Sequence, residues 1–219
     1  MYNNRLLNKG FFLKLAVFDF DSTLMDGETI DLLAKAHGSA EAVSSITKEA
    51  MGGKMDFHQS LKLRVATLKG MPIAKVQEIC NNLKYNPGAK ELIDELKARN
   101  YRVVVFSGGF DEGVSAGQKA LGYHIHFSNK LHYKDGILTG EVGGEMMFGY
   151  SKGRMMEKIQ TLLNASYENT IAIGDGANDI SMFKYAKKKV AFCAKPILKE
   201  AANIIINEKN LMQIAQHLN

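Results

Sequence analysis

The regular alternation of predicted helices and strands along the second half of the chain most constrains its fold. From Asn86-Pro87-Gly88 onward, segments with hydrophobic residues at three- and four-residue spacing alternate with short apolar, β-prone runs. Strands separated by helices pair in parallel, with helices on both faces of the sheet. The sequence therefore predicts an α/β fold with a Rossmann-like parallel sheet core. The predicted helices are 89–99, 110–121, 151–163, 179–186, 196–202 and 211–217, and the predicted strands are 101–106, 124–127, 170–173, 190–193 and 203–206.

Two segments depart from this alternation. Between the first strand and residue 85, hydrophobic spacing and glycine breaks predict four consecutive helices, at 28–37, 40–51, 56–68 and 73–83. Such a run cannot extend a parallel sheet, so it predicts a separate helical-bundle cap. Further on, Asp135-Gly136 lies between two β-prone runs and predicts a small β-hairpin. We expect a core domain of residues 1–26 and 85–219, with an irregular arm at 1–12, and a cap domain of residues 27–84.

The composition is that of an ordinary soluble globular protein. Of its 219 residues, 46% are hydrophobic and 23% are charged, and the formal net charge is +5. There is no tryptophan and no basic stripe interleaved with aromatic residues, so we expect no nucleic-acid partner. The run Lys187-Lys188-Lys189 is interpreted as a solvated turn.

The cysteines and the N-terminal region indicate a cytoplasmic protein with no membrane partner. Cys80 and Cys193 are far apart and have no thiol or histidine at metal-binding spacing. Cys193 falls in a predicted buried strand and is interpreted as inert packing, which suits a reducing compartment. The apolar run that precedes Asp19 is too short for a signal peptide or a membrane span.

Two carboxylates follow the first predicted strand, Leu15-Ala16-Val17-Phe18. Asp19 and Asp21 are two positions apart, so both project from one face at the end of the strand. Two anions held so close repel each other unless a cation or a shared proton compensates. One carboxylate that attacks phosphorus, a neighbour that handles the proton and a hard divalent ion between them would explain the pair.

Two further polar loops follow predicted strands of the same sheet. Ser107-Gly108-Gly109 follows one strand, and Gly174-Asp175-Gly176-Ala177-Asn178-Asp179 follows another. In open parallel sheets, ligands bind beyond the carboxyl ends of the strands, so these loops are expected to meet Asp19 there. Glycine lets backbone N–H groups approach an anion, and the acidic cluster favours a metal ion. Lys152 lies in the first turn of a predicted helix, where a cation opposes the helix dipole and is expected to face an anion.

These four motifs, in this order and spacing, resemble those of the haloacid dehalogenase superfamily, and the resemblance extends from about residue 13 to the C-terminus. Other segments are similar to those of superfamily members that hydrolyse O-phospho-L-serine to L-serine and phosphate, the last step of serine biosynthesis. These segments are Glu28-Thr29-Ile30-Asp31, Ile46-Thr47-Lys48-Glu49-Ala50-Met51, Asp56-Phe57 with Ser60-Leu61 and Arg64-Val65, and Ala191-Phe192-Cys193-Ala194-Lys195-Pro196.

The resemblance implies a catalytic role for each acid. Asp19 would be the nucleophile that forms an aspartyl-phosphate, and Asp21 would protonate the departing oxygen and then activate water. Mg²⁺ would be held by Asp19, the backbone carbonyl of Asp21 and Asp175. Asn178 and Asp179 would support the metal waters and orient Lys152.

The resemblance also implies a phosphate cradle and a substrate-binding wall. The phosphoryl oxygens would be held by Ser107, the Gly108 backbone and Lys152, and Gly109 and Asn178 would be further substrate-binding residues. From the cap, Arg64 would grip the carboxylate of a phosphorylated serine, Glu28 would bind its ammonium, and Met51 and Phe57 would cover its carbons. Spacing alone favours ordinary surface and core positions for these last four, and the resemblance reverses that interpretation. The only partner implied is this small substrate, and the chain could be a monomer or a homodimer.

Three alternatives compete with hydrolysis. A close rival would form the same intermediate but pass the phosphate to an acceptor alcohol, or would prefer another small phosphorylated compound. A phospho-accepting signalling module of the receiver type uses an Asp, Mg²⁺ and a lysine, but it lacks a helical cap and has no need of Asp21. A dinucleotide-binding module is disfavoured because no Gly-x-Gly-x-x-Gly opens a helix after a strand.

Overall fold

The computed structural model describes residues 13–218, and the predicted arm at residues 1–12 lies outside them. Within this range, seven strands form one sheet in the order β4-β3-β2-β1-β5-β6-β7. The strands are β1 (Lys14–Phe18), β2 (Tyr101–Phe110), β3 (Ile125–Lys134), β4 (Ile137–Gly144), β5 (Thr170–Gly174), β6 (Lys188–Phe192) and β7 (Ile204–Ile206). The helices are α1 (Thr29–His37), α2 (Ala40–Met51), α3 (Phe57–Ala66), α4 (Ile73–Cys80), α5 (Ala89–Ala98), α6 (Asp111–Leu121), α7 (Ser151–Leu163), α8 (Ile180–Phe183) and α9 (Pro196–Ala201).

The first strand, β1, is the central strand of the sheet, and this buried position accounts for its hydrophobic sequence. It pairs in parallel with β2 on one side and with β5 on the other. Ala16 and Phe18 join the hydrophobic cluster on one face, together with residues of α5 and α6. Leu15 and Val17 join the cluster on the other face, with residues of α7, α8 and α9. Helices therefore cover both faces, and the predicted α/β class is confirmed.

The predicted hairpin extends the sheet at one edge. Strands β3 and β4 pair antiparallel, while the other pairings in the sheet are parallel. Asp135 and Gly136 both have positive φ, at 51° and 78°, as a type I′ turn requires. The Asp-Gly pair thus identified the turn correctly.

Helices α1 to α4, here called the helical insert, lie between β1 and β2 in sequence and pack on the hairpin. Leu61 and Val65 of α3 share a hydrophobic cluster with Leu131 and Leu138. Backbone bonds add a second connection, because Gly70 N–H donates to Leu138 O at 3.0 Å, Leu138 N–H to Met71 O at 2.9 Å and Ile73 N–H to Gly136 O at 2.8 Å. The division into a core and a cap domain at residues 27–84 stays a prediction.

Several element boundaries differ from the prediction. Strand β2 continues through Ser107-Gly108-Gly109 to Phe110, with an irregular register towards β3 beyond Phe106. The glycines marked a loop in the sequence. In the structure they are extended without regular strand pairing, and the side chain of Asn129 in β3 donates to Gly108 O. The helix predicted at 179–186 is a short 3₁₀ turn followed by α8, and the last predicted helix is a 3₁₀ helix at Leu211–His217.

Two sequence interpretations are wrong. Strand β6 ends at Phe192, so Cys193 is exposed rather than buried in a strand, and its φ is 44°. The chain turns there, and Cys193 N–H donates to Ile206 O at 2.7 Å. Lys188 and Lys189 begin β6 instead of forming a turn, because they pair with β5. Among the described residues, no helix is long and apolar enough to cross a membrane.

Candidate active site

The three polar segments meet at the carboxyl ends of β1, β2 and β5, as the sequence predicts. Buried Lys152, in the first turn of α7, donates from Nζ to Asp19 Oδ1 at 2.5 Å and to Asp179 Oδ1 at 2.6 Å. Carboxylate oxygens of Asp19, Asp175 and Asp179 all lie within 4.8 Å of one another. One buried lysine therefore faces three clustered acids.

Burial and mutual repulsion set the charge balance of this cluster. Burial raises the pKa of Asp19 well above its usual value, the charge of Asp179 adds to this, and Lys152 opposes it. Burial and the charge of Asp179 raise the pKa of Asp175 to about 6. Burial by itself would lower the pKa of Lys152. The negative charges of Asp179 and Asp19 outweigh the effect of burial and raise this pKa. Three carboxylates face a single ammonium, and a hard divalent cation would compensate the excess negative charge.

Asp179 is fixed by backbone groups of its own loop. The N–H groups of Asp175 and Gly176 donate to Asp179 Oδ2 at 3.1 and 3.0 Å. A Cβ on Gly174 would lie 2.3 Å from the same oxygen, so only glycine leaves room for this carboxylate. The loop thus fixes the Asp179 carboxylate through Oδ2, and the other oxygen, Oδ1, binds Lys152.

Asp21 is held by the first residue of the helical insert. Thr29 donates to Asp21 Oδ1 twice, from its backbone N–H at 2.7 Å and from its hydroxyl at 2.6 Å. Ser107 Oγ donates to Asp21 Oδ2 at 3.3 Å. Burial raises the pKa of Asp21, and the hydrogen bonds from Thr29 lower it. Thr29 was quoted in the sequence motif, but its contact with Asp21 was not foreseen.

The side chain of Asn129, in the neighbouring strand β3, is hydrogen-bonded to the Ser107-Gly108-Gly109 segment. Its buried Nδ2 donates to Gly108 O at 3.0 Å, and its Oδ1 accepts from Met146 N–H at 3.0 Å. The same Gly108–Gly109 peptide donates its N–H to Ser107 Oγ at 2.9 Å. Sequence reasoning missed Asn129, whose one signal was an amide inside a β-prone run.

A cavity of about 780 Å³ lies above these groups, between the sheet and the helical insert. Lys152, Ser107 and Asp175 are not among its lining residues. The expected site residues that line it are Asp19, Asp21, Glu28, Met51, Phe57, Arg64, Gly108, Gly109 and Asn178. Lys195 also lines the cavity, and its backbone N–H donates to Asp175 O at 2.9 Å.

Glu28 and Arg64 give the cavity wall groups of opposite charge. Ser22, with φ of 60°, donates from Oγ to Glu28 Oε1 at 2.7 Å. Burial and the charge of Asp21 raise the pKa of Glu28 to about 7. Burial lowers the pKa of Arg64, while Glu28 and Asp31 oppose this. A ligand with both an ammonium and a carboxylate would find complementary charges here.

The two apolar residues expected over the substrate differ in burial. Phe57 packs against Gly108, since a Cβ on that glycine would come 2.8 Å from Phe57 Cζ. Met51, at the end of α2, is 71% exposed although it borders the cavity. Closure of Met51 over a ligand stays a prediction.

Comparison with known families defines the class of protein. Residues 13–187 match the family model described as haloacid dehalogenase-like hydrolase. The chain belongs to this family of hydrolases, which use a divalent metal, and the acid cluster described above is consistent with one.

Within the family, the chain belongs with the phosphoserine phosphatases. It is 63% identical over 206 residues to the phosphoserine phosphatase of Wolinella succinogenes, covering 94% of this chain and 100% of that protein. Identity with the phosphoserine phosphatase of Methanocaldococcus jannaschii is 51% over 205 residues, covering 94% and 97%.

Solved structures agree with these relatives. A phospho-aspartyl intermediate analogue of phosphoserine phosphatase superposes with a TM-score of 0.90 at 50% identity, covering 95% of this chain and 100% of the other. A substrate-bound phosphoserine phosphatase complex gives a TM-score of 0.90 at 50% identity, covering 94% and 99%. The protein is therefore an enzyme, a phosphoric monoester hydrolase.

Proposed function

We propose that the protein hydrolyses O-phospho-L-serine to L-serine and phosphate in the cytoplasm, as the last step of serine biosynthesis, with Mg²⁺ as its metal. The observation that carries the proposal is the position of Asp19 and Lys152. Asp19 lines a cavity whose wall presents Arg64 and Glu28, and the buried Lys152 ammonium binds Asp19. Identity with phosphoserine phosphatases over most of the chain supports the same substrate.

The nucleophile in this proposal is Asp19. Its Oδ1 already accepts hydrogen bonds from Lys152 and from Phe20 N–H at 2.8 Å, so we assign the attack to Oδ2. The bond from Oδ2 to phosphorus forms as the bond from phosphorus to the serine oxygen breaks. Mg²⁺, held by Asp19, the Asp21 carbonyl and Asp175, would neutralise the crowded acids and the charge on the phosphoryl oxygens.

Asp21 handles the proton in both halves of the reaction. It gives its proton to the departing serine oxygen and then takes one from the water that attacks phosphorus, which releases phosphate and regenerates Asp19. The hydrogen bonds from Thr29 and Ser107 hold its carboxyl in place for both transfers. Burial raises its pKa, which favours the protonated form that the first transfer needs.

Recognition is divided between the sheet loops and the helical insert. Arg64 would bind the substrate carboxylate and Glu28 its ammonium, while Phe57 and Met51 would cover the carbons. The residues assigned to the phosphoryl group are Ser107, Gly108, Gly109, Lys152 and Asn178. Asp179 would keep the Lys152 ammonium aimed at this group.

The test measures phosphate release from O-phospho-L-serine and from p-nitrophenyl phosphate, with Mg²⁺ and with EDTA. We expect Mg²⁺-dependent release and a clear preference for O-phospho-L-serine. Arg64→Ala should raise KM for O-phospho-L-serine far more than KM for the aryl phosphate, because only the former has a carboxylate. Efficient transfer to added homoserine with negligible release would replace hydrolysis by phosphotransfer, and equal effects of Arg64→Ala on both substrates would refute carboxylate binding.

A further inference from the structure

Four side chains form a continuous stack beside the cavity. The rings of His58 and Phe148 are 4.6 Å apart with an interplanar angle of 18°, and those of Phe148 and Tyr150 are 5.2 Å apart at 2°. The Arg154 guanidinium lies over the Tyr150 ring at 4.4 Å. We call His58, Phe148, Tyr150 and Arg154 the aromatic clasp, because it joins α3 of the helical insert to the segment that leads into α7.

Hydrogen bonds tie the segment that carries Phe148 and Tyr150 to the start of α7. Phe148 N–H donates to Ser151 Oγ at 3.2 Å, and Ser151 N–H donates back to Phe148 O at 2.9 Å. Arg154 N–H donates to Tyr150 O at 3.2 Å. The backbone that carries the two rings is therefore bonded to the first turn of the helix that carries Lys152, while Phe148 and Tyr150 are 42% and 48% exposed. Neither ring belongs to the hydrophobic clusters of the described residues, and their ring contacts are those of the stack.

The other side of the clasp is the N-terminal end of α3. The chain after the C-terminal end of this helix is tied to the hairpin by the backbone bonds of residues 70–73. His58 lies at the opposite end, next to Phe57, which packs against Gly108. Gly149, which lies between Phe148 and Tyr150 in the sequence, borders the cavity together with Phe57. The stack thus joins the two sides of the cavity rim at the end of α3 that lacks the hairpin attachment.

We propose that the aromatic clasp is a positioning device that holds the N-terminal end of α3 against the phosphate-binding side, and so keeps Phe57 and Arg64 over the bound substrate. None of its four members needs to touch the substrate. The proposal deepens and rests on the assignment of O-phospho-L-serine as the substrate. Its contribution is to substrate retention, since the chemistry takes place at Asp19.

The first experiment compares Phe148→Ala with the wild-type enzyme. An aromatic pair contributes about 0.5–1.5 kcal/mol, so KM for O-phospho-L-serine should rise about 2- to 13-fold with kcat changed less than about twofold. KM for p-nitrophenyl phosphate should change little, because that substrate has no carboxylate for Arg64. Phe148→Tyr should restore KM. Tyr167→Ala, at a half-exposed ring in the segment after α7, is the matched control and should leave KM unchanged.

A double-mutant cycle tests whether His58 and Phe148 act together. Once either ring is removed, loss of the other should add little, so His58→Ala with Phe148→Ala should resemble Phe148→Ala alone. Additive effects, or equal rises in KM for both substrates, would overturn the clasp.

Hydrogen exchange tests the clasp independently of the substrate assignment. Without any substrate, amides of residues 57–66 should exchange faster in Phe148→Ala than in the wild type or in Tyr167→Ala. Unchanged exchange would overturn the clasp even if the enzyme hydrolyses O-phospho-L-serine. Faster exchange in an enzyme that does not hydrolyse it would keep the clasp and reject the substrate.

Discussion

The buried ammonium of Lys152 forms ion pairs with acids that follow two different strands. Its Nζ lies 2.5 Å from Asp19 and 2.6 Å from Asp179, which belong to different loops. Breaking a buried ion pair leaves an uncompensated charge, so each member depends on the others. The identity of every residue in this trio is therefore tightly constrained.

Replacing the nucleophile tests the covalent step. Asp19→Asn keeps the side-chain shape but removes the attacking anion, so turnover should fall by more than about a thousandfold. Phosphate release and covalent labelling from radiolabelled O-phospho-L-serine are the measurements. Asp26→Asn, which removes an exposed partner of Lys209, is the control and should remain active. Labelling that persists in Asp19→Asn would exclude Asp19 as the nucleophile.

Removing the Thr29 hydroxyl tests how Asp21 is positioned. Thr29→Val preserves the backbone hydrogen bond but loses the 2.6 Å hydroxyl contact. Hydrogen bonds to charged groups contribute about 1.5–3 kcal/mol, so kcat should fall about 10- to 100-fold with KM nearly unchanged. Thr29→Ser should recover activity in steady-state assays. A rise in KM alone would argue against a role through Asp21.

At the scale of elements, the loop after β5 leaves no room for a side chain at Gly174. In Gly174→Ala the new Cβ would meet the Asp179 carboxylate at 2.3 Å. Forced repacking of this kind costs about 1–3 kcal/mol, and the free energy of unfolding should fall by that amount in urea titrations. Gly149→Ala, which meets nothing within 4 Å, is the control for stability. Equal stability of the two variants would show that the loop can relax.

The sequence predicts the elements that local pattern encodes. The continuous apolar run of β1 and the Asp135-Gly136 turn were identifiable because each has a local chemical signature. The end of β2 was not, since its glycines resemble a loop and the register towards β3 is irregular between Phe106 and Phe110.

The candidate site likewise has parts that the sequence predicts and parts that it does not. Motifs placed Asp19, Ser107 and Asp175 at one edge of the sheet, where the structure brings them together. The contact of Asn129 with Gly108 and the stack of His58 on Phe148 join residues far apart in sequence. No local periodicity encodes such pairs, so only the folded chain reveals them.

At the scale of the whole molecule, Glu28 makes stability depend on pH. Its pKa is about 7 when folded, against an ordinary 4.5, so the folded state binds this proton more tightly. The free energy of unfolding of the metal-free protein should therefore fall as pH rises from about 4.5 to 7, by about 3 kcal/mol from this group. Urea unfolding in EDTA at pH 5 and 7.5 measures it. Glu28→Gln should have a smaller pH dependence, and identical slopes in both proteins would contradict the assignment.

The backbone pairing between residues 70–73 and β4 has a consequence beyond the site. Strand β4 is the last strand at its end of the sheet, and Leu138 exchanges hydrogen bonds with this segment. An uncovered strand edge is a template on which other molecules can add strands. The segment between α3 and α4 shields part of this edge, so a shortened chain without α1 to α4 would expose it and tend to self-assemble. We therefore expect the insertion that forms the cavity wall also to guard this strand edge against aggregation.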